Sequence, residues 1–196
     1  MPDLLETHLE NRWMVQPNHA NSLGTTHGGN VLKWMDEVGA MAAMRFAGED
    51  CVTARMDQVD FKRPIPLGET ALVEAYVYET GRSSISVRLR VFREDPRSGE
   101  RELTTGSYSV YVAIDDDGAP VPVPDLTVSS DRGRDLQRAA LDGERERAAG
   151  RRRLVPRGAV QHRNPGPARS WRTGGGADCR RARLGAAVGD YQRRRH

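Results

Sequence analysis

The chain has 196 residues, a formal net charge of +3 and two cysteines, Cys51 and Cys179. Two distant cysteines make neither a disulfide framework nor a zinc site. The acidic N-terminus MPDLLETHLE has no apolar signal core and no run approaches a membrane span, so a soluble, intracellular, cytoplasmic protein is expected.

The charge is unevenly spread. Residues 125–196 hold 18 Arg, no Lys and 8 acidic residues, a net of +10, which leaves residues 1–124 at −7. An acidic body has no electrostatic reason to seek nucleic acid, and any attraction to phosphate backbones would belong to the tail.

A short strand is expected near Trp13–Gln16, followed by a turn-rich loop from Pro17 to Gly24. Val31, Met35, Val38, Ala42 and Phe46 then recur at helical spacing, and Gly48 stands where a helix C-terminus favours glycine. That helix is apolar nearly all round apart from Lys33, Asp36, Glu37 and Arg45, the composition of a buried helix. Beyond it the period becomes two. Ile85, Val87, Leu89 and Val91 alternate with polar residues, as do Tyr108, Val110, Val112 and Ile114. Further strands are expected over Cys51–Phe61 and Thr70–Tyr78, with turn signals at Pro66–Glu69, Thr80–Arg82, Asp95–Gly99 and Asp115–Gly118.

Strand, long helix, then four strands joined by short turns favours antiparallel pairing, with the helix as the one available cover. The expected class is α+β, a hotdog fold: a curved antiparallel sheet wrapped around one long central helix, spanning residues 8–124. Pairing two such sheets edge to edge would relieve the open edges and predicts a homodimer at least.

From Asp125 the character changes. Residues 131–196 lack Phe, Ile and Met and are dominated by Arg, Gly and Ala. So little apolar surface does not offset ordering entropy of about 1–2 kcal/mol per residue, so a largely disordered tail is expected, with at most a frayed helix over 136–149. Three readings stand side by side: a basic arm for nucleic acid or anionic lipid, an inert extension, and a frameshift-derived translation of GC-rich DNA.

Asp36 is the sharpest chemical feature, an acid on an apolar helix. A buried carboxylate is either well bonded or useful; spacing alone equally allows a wet stripe with Glu37 and Lys33. Gly28-Gly29 at the helix start would let backbone approach a ligand, and the first amides and helix dipole suit a developing oxyanion. Asp36 lies two turns on, roughly 10 Å from those amides. One subunit would strain to bring both to one carbonyl, and a dimer supplying Asp36 across its interface would not. His27, beside the helix start, reads as a capping or packing residue or as an acid–base group. No Gly-x-Ser-x-Gly elbow, zinc spacing or nucleotide fingerprint occurs.

The pattern Asn21-x-x-Gly24-x-x-His27-Gly28-Gly29-x-x-Leu32-x-x-Met35-Asp36-Glu37-x-Gly39 resembles the signature of the cytosolic acyl-CoA thioesterases of the hotdog superfamily. Asp60-Phe61-x-x-Pro64-Ile65-x-x-Gly68, Gly81-Arg82-Ser83-Ser84 and Tyr111-Val112-Ala113-Ile114-Asp115 resemble its later blocks, in order. The resemblance implies hydrolysis of acyl-CoA to free acid and CoA. Asp36 would be general base or nucleophile, with Asn21 orienting thioester or water. His27 and the Gly28 and Gly29 amides would lie on the substrate, and Arg82, Ser83 and Ser84 would hold CoA phosphates. It further implies a trimer of dimers, no membrane partner, and no cofactor, coenzyme A being part of the substrate. Thr25 departs from the family, which often carries Asn or Asp there. A hotdog dehydratase would want an Asp/His pair, and His27 lies nine residues before Asp36. A non-catalytic acyl-CoA binding module is the third reading. Met35, Met41, Met44 and Phe46 are candidates for setting chain length.

Overall fold

A computed structural model describes residues 1–154. Its elements are β1 (Leu9–Met14), α1 (Gly28–Ala47), β2 (Asp50–Met56), β3 (Thr70–Thr80), β4 (Ser84–Glu94), β5 (Arg101–Ile114) and α2 (Asp131–Leu154), with a 3-10 turn at Leu4–Thr7 before β1. The five strands form one antiparallel sheet in the order β1-β3-β4-β5-β2, which leaves β1 and β2 at its edges.

Helix α1 lies on one face of this sheet. Val31, Trp34, Met35, Val38, Ala42, Ala43 and Phe46 are buried against Ala71, Val73, Ala75 and Val77 of β3 and Ile85, Val87, Leu89 and Val91 of β4. Each large apolar side chain so buried contributes roughly 1.5–3 kcal/mol before entropy is counted. Gly48 ends the helix in the left-handed region, φ 73°, where its amide donates to the Met44 carbonyl at 2.8 Å. The sheet curled round one long helix is the expected hotdog architecture.

Several boundaries differ from those read in the sequence. The first strand is Leu9–Met14, because Gln16 and Pro17 already belong to the next 3-10 turn. Strand β2 stops at Met56, where Asp57 turns inward and donates its amide to the Tyr108 carbonyl. Strand β5 starts at Arg101, held by β4 pairing that its polar first half does not advertise.

The larger difference is at the chain's far end. The expected disorder from 125 does not extend to residues 131–154, which form α2, longer than the frayed 136–149 helix. Its inward stripe is small: Gly133, Ala140 and Gly143, with Leu136 and Leu141 beside them. These pack with Leu4, Tyr76, Tyr78 and Tyr108 on the sheet face opposite α1. Small residues let the helix approach bulky tyrosines, so the apolar area comes from the sheet rather than from the helix. This second cover buries Tyr76 and Tyr78, and His8 and Arg90 close over Glu74, so β3 is buried on both faces there instead of alternating. Residues 155–196, with most of the arginine-rich segment and the three readings attached to it, lie outside the described residues.

Among the described residues no helix is long and apolar enough to cross a membrane.

Candidate active site

The loop before α1 is pinned from several sides. The His27 amide and the Asn30 side-chain amide both donate to the His19 carbonyl, at 2.8 and 3.0 Å. Thr26 donates through its amide and hydroxyl to the Ile65 carbonyl. Trp34 of α1 stacks on Trp13 (ring centroids 5.2 Å apart, planes 9° apart) and takes the His19 ring edge-on. These contacts fix where Asn21 stands relative to the helix start.

Asn21 closes its loop on itself. Its Oδ1 accepts from the Leu23 and Thr25 amides at 2.9 and 3.2 Å, and its Nδ2 lies 3.0 Å from the Thr25 hydroxyl. The departure at Thr25 is therefore in direct contact with Asn21. Both line a cavity of about 340 Å³ with Thr26, Gly28, Phe61 and Lys62. Phe61 packs over Gly28, where a Cβ would sit 3.4 Å from the ring.

His27 is the N-cap of α1, its Nδ1 accepting from the Gly29 amide at 3.0 Å. This occupies one of the two amides expected to face a substrate carbonyl. The Asn30 and Val31 amides turn back to the His27 carbonyl. Gly28 is the remaining first-turn donor at the cavity wall, so the expected pair of free amides reduces to one because the capping imidazole takes the other.

Asp36 is elsewhere. It is half-buried, it does not line the Asn21–Gly28 cavity, and its Oδ1 accepts a 2.6 Å hydrogen bond from the Thr53 hydroxyl on edge strand β2. Glu37 instead faces solvent in a 3.6 Å pair with Lys33, so the two neighbouring acids have separate surroundings. Beneath Asp36, the Tyr111 hydroxyl donates to its backbone carbonyl at 3.3 Å. Burial first and the Asp36 charge second push the Tyr111 phenol well above its ordinary range, so it stays a donor. Strand β2 has a bulge between Thr53 and Arg55, which resets the register against β5 just beyond Thr53.

Arg82, Ser83 and Ser84 enter β4. Arg82 is exposed, while the Arg82 and Ser83 carbonyls accept from Val123 and Ala113 and tie the turn to the exit of β5. Met35 and Phe46 are core residues, whereas Met41 and Met44 line an open groove with Leu9 and Val38. Among the described residues no group of three metal-binding side chains converges.

One protomer thus brings Asn21, Thr25 and Gly28 together and holds Asp36 apart, with Thr53. Thr53 was absent from the sequence reading. Strand periodicity gave no reason to single it out, and the bulge that follows it is not visible in composition.

A curled sheet around a helix, an amide-lined helix start and a hydrogen-bonded acid on that helix define a hotdog protein of the thioester-handling kind. The chain belongs to the thioesterase superfamily, whose pattern matches residues 23–100, among its acyl-CoA thioester hydrolases. It is 35% identical over 133 residues to the uncharacterized acyl-CoA thioester hydrolase YkhA of Bacillus subtilis, covering 68% of this chain and 77% of that one. It is also 35% identical over 107 residues to the human cytosolic acyl coenzyme A thioester hydrolase, but covers only 28% of that longer protein.

Among solved structures, an apo-hexameric acyl-CoA thioesterase superposes with a TM-score of 0.69 at 35% identity, covering 79% of this chain and 98% of that chain. The acyl-CoA hydrolase of Staphylococcus aureus, solved with butyryl coenzyme A and coenzyme A, gives 0.68 at 31%, covering 76% and 92%. Variants of that enzyme replace an asparagine, an aspartate and a threonine by alanine. The three stand fifteen and then seventeen positions apart, the spacing of Asn21, Asp36 and Thr53 here.

Proposed function

We propose that this protein hydrolyses acyl-CoA thioesters to a free carboxylic acid and CoA, with Asp36 as general base. The observation that carries the reading is the 2.6 Å bond from Thr53 to Asp36 Oδ1, which orients the carboxylate and leaves Oδ2 for water. Asp36 takes a proton from that water as the oxygen attacks the thioester carbon. The carbonyl oxygen becomes an oxyanion facing the Gly28 amide and the positive end of α1. Collapse breaks the carbon–sulfur bond, and the proton passes to the CoA thiolate. Asn21, steadied by Thr25, orients the thioester. Arg82, with the Ser83 and Ser84 hydroxyls, meets the CoA phosphates, for which an exposed guanidinium is suited.

The acting site is shared between two copies. Asp36 is separated from the Asn21–Gly28 cavity of its own protomer, and β2 offers an unpaired edge with Val52 46% exposed. Edge-to-edge pairing through β2 brings one copy's Asp36 and Thr53 to the other's cavity, and a trimer of such dimers follows the hexameric relatives. No cofactor enters this scheme, and the reaction suits the cytoplasm, where acyl-CoA is found.

The test is thiol release from acyl-CoAs of graded chain length by the full chain. Loss of about 100-fold or more in kcat for Asp36→Ala supports the assignment; undiminished turnover would overturn it. A single turnover in 18O-labelled water puts label in the released acid if Asp36 acts as base. If Asp36 is the nucleophile and water opens the anhydride at the Asp36 carbon, the label enters Asp36 and the first acid leaves unlabelled.

A further inference from the structure

We propose that Tyr111 is a positioning residue for Asp36, its buried hydroxyl lodged in a notch of α1 that Gly39 keeps open. The inference rests on the reading of Asp36 as the catalytic base.

Tyr111 on β5 is paired directly with Thr53 on β2. Residues directly opposite in an antiparallel ladder share a face, so both side chains leave the sheet toward α1. Thr53 reaches the Asp36 carboxylate and Tyr111 reaches the Asp36 carbonyl, at 2.6 and 3.3 Å. One cross-strand pair therefore grips one residue of the helix at two points. Tyr111 is wholly buried, and a phenylalanine would fill its volume without bringing a polar group into the core. The hydroxyl is tolerated because it has this acceptor, whose second lone pair is left over from the helix bond.

Gly39 supplies the other half. A Cβ there would collide with the Tyr111 hydroxyl and press on its ring. Glycine is unfavourable inside a helix, and here it makes room for the phenol one turn beyond Asp36. Held at both carbonyl and carboxylate, the Asp36 side chain has a fixed direction, and a small displacement of a reacting group costs rate more than binding.

The experiment uses the full chain, acyl-CoA and thiol release, with melting temperature recorded for each variant. Tyr111→Phe is expected to lower kcat about threefold to tenfold with KM unchanged. Gly39→Ala lowers kcat as well, and the double variant falls less than the product of the two because the hardest of the contacts, with the hydroxyl, is gone and only the ring remains. Added to Asp36→Ala, Tyr111→Phe leaves the residual rate where it was. If Tyr111→Phe keeps full kcat while Asp36→Ala is inactive, the role of Tyr111 fails and the Asp36 reading stands. If Tyr111→Phe lowers the residual rate of Asp36→Ala by its full factor, the effect is general loss of structure and the proposal fails. If Asp36→Ala retains full turnover, the underlying reading is what fails.

Discussion

Thr53 on β2 and Asp36 on α1, seventeen residues apart in sequence, are joined by a 2.6 Å hydrogen bond that ties an edge strand to the middle of the central helix. The bond makes the carboxylate's orientation depend on β2, one of the two edge strands of the sheet.

Removing the Thr53 hydroxyl should therefore act on rate. A hydrogen bond to a charged group is worth about 1.5–3 kcal/mol, so Thr53→Ala is expected to lower kcat on the order of 10-fold to 100-fold. Thr53→Ser keeps the donor and should retain most of the activity. Steady-state thiol release measures both, and equal rates for the alanine and serine variants would remove the hydroxyl from the mechanism.

How much of this was legible follows from what each element buries. Helix α1 has one partner sheet, so its stripe of Val31, Met35, Val38, Ala42 and Phe46 declares it, and β4 shows a clean alternation from Ile85 to Val91. Strand β3 loses its alternation toward Tyr78 because α2 covers Tyr76 and Tyr78, and α2 reads as no more than a frayed helix because its inward residues are mostly glycine and alanine. Asp36 stood out as an acid among apolar residues. Thr53 had no such contrast on an edge strand whose neighbours Val52, Ala54 and Arg55 are also exposed. That Asp36 does not line the cavity at Gly28 was foreseeable from helix rise alone, because about two turns of α1 separate the two residues.

The packing of α2 makes a prediction of unusual sign. Gly→Ala inside a helix ordinarily stabilises by about 1 kcal/mol. At Gly143 the new Cβ would collide with the Tyr108 hydroxyl, so Gly143→Ala is expected to destabilise by about 1–3 kcal/mol. Calorimetric melting of the variant should show a lower transition; a higher one would mean that α2 does not dock against Tyr108.

Glu74 lies 6% exposed on the sheet, with the His8 ring at 2.7 Å and Arg90 donating at 2.7 and 3.1 Å. Burial opposes its charge, but the hydrogen bonds from His8 and then Arg90 prevail and bring its pKa down from 4.5 to about 2. A depressed carboxylate stabilises the fold above its unfolded value and loses that contribution as pH falls from 4.5 through about 2. Glu74→Gln should cost on the order of 3 kcal/mol at neutral pH, with the difference shrinking toward zero below pH 2. Urea unfolding across that range measures it, and a difference independent of pH would assign the loss to packing instead.

Mixing two inactive variants tests whether the site is shared. In Asp36→Ala protomers the Asn21–Gly28 cavity is intact, and in Asn21→Ala protomers the Asp36–Thr53 pair is intact. Each alone assembles only crippled sites. In a mixed dimer one site combines the intact cavity of one copy with the intact acid of the other, while the second site carries both lesions. With random pairing, half the dimers are mixed and half of their sites work, so activity should return to about a quarter of the unsubstituted protein. Thiol release after co-refolding equal amounts reads this directly. Recovery near a quarter fits a site built from two copies. No recovery, with mixed dimers shown by mass spectrometry to have formed, would place Asn21 and Asp36 in one protomer's site and sink the shared geometry.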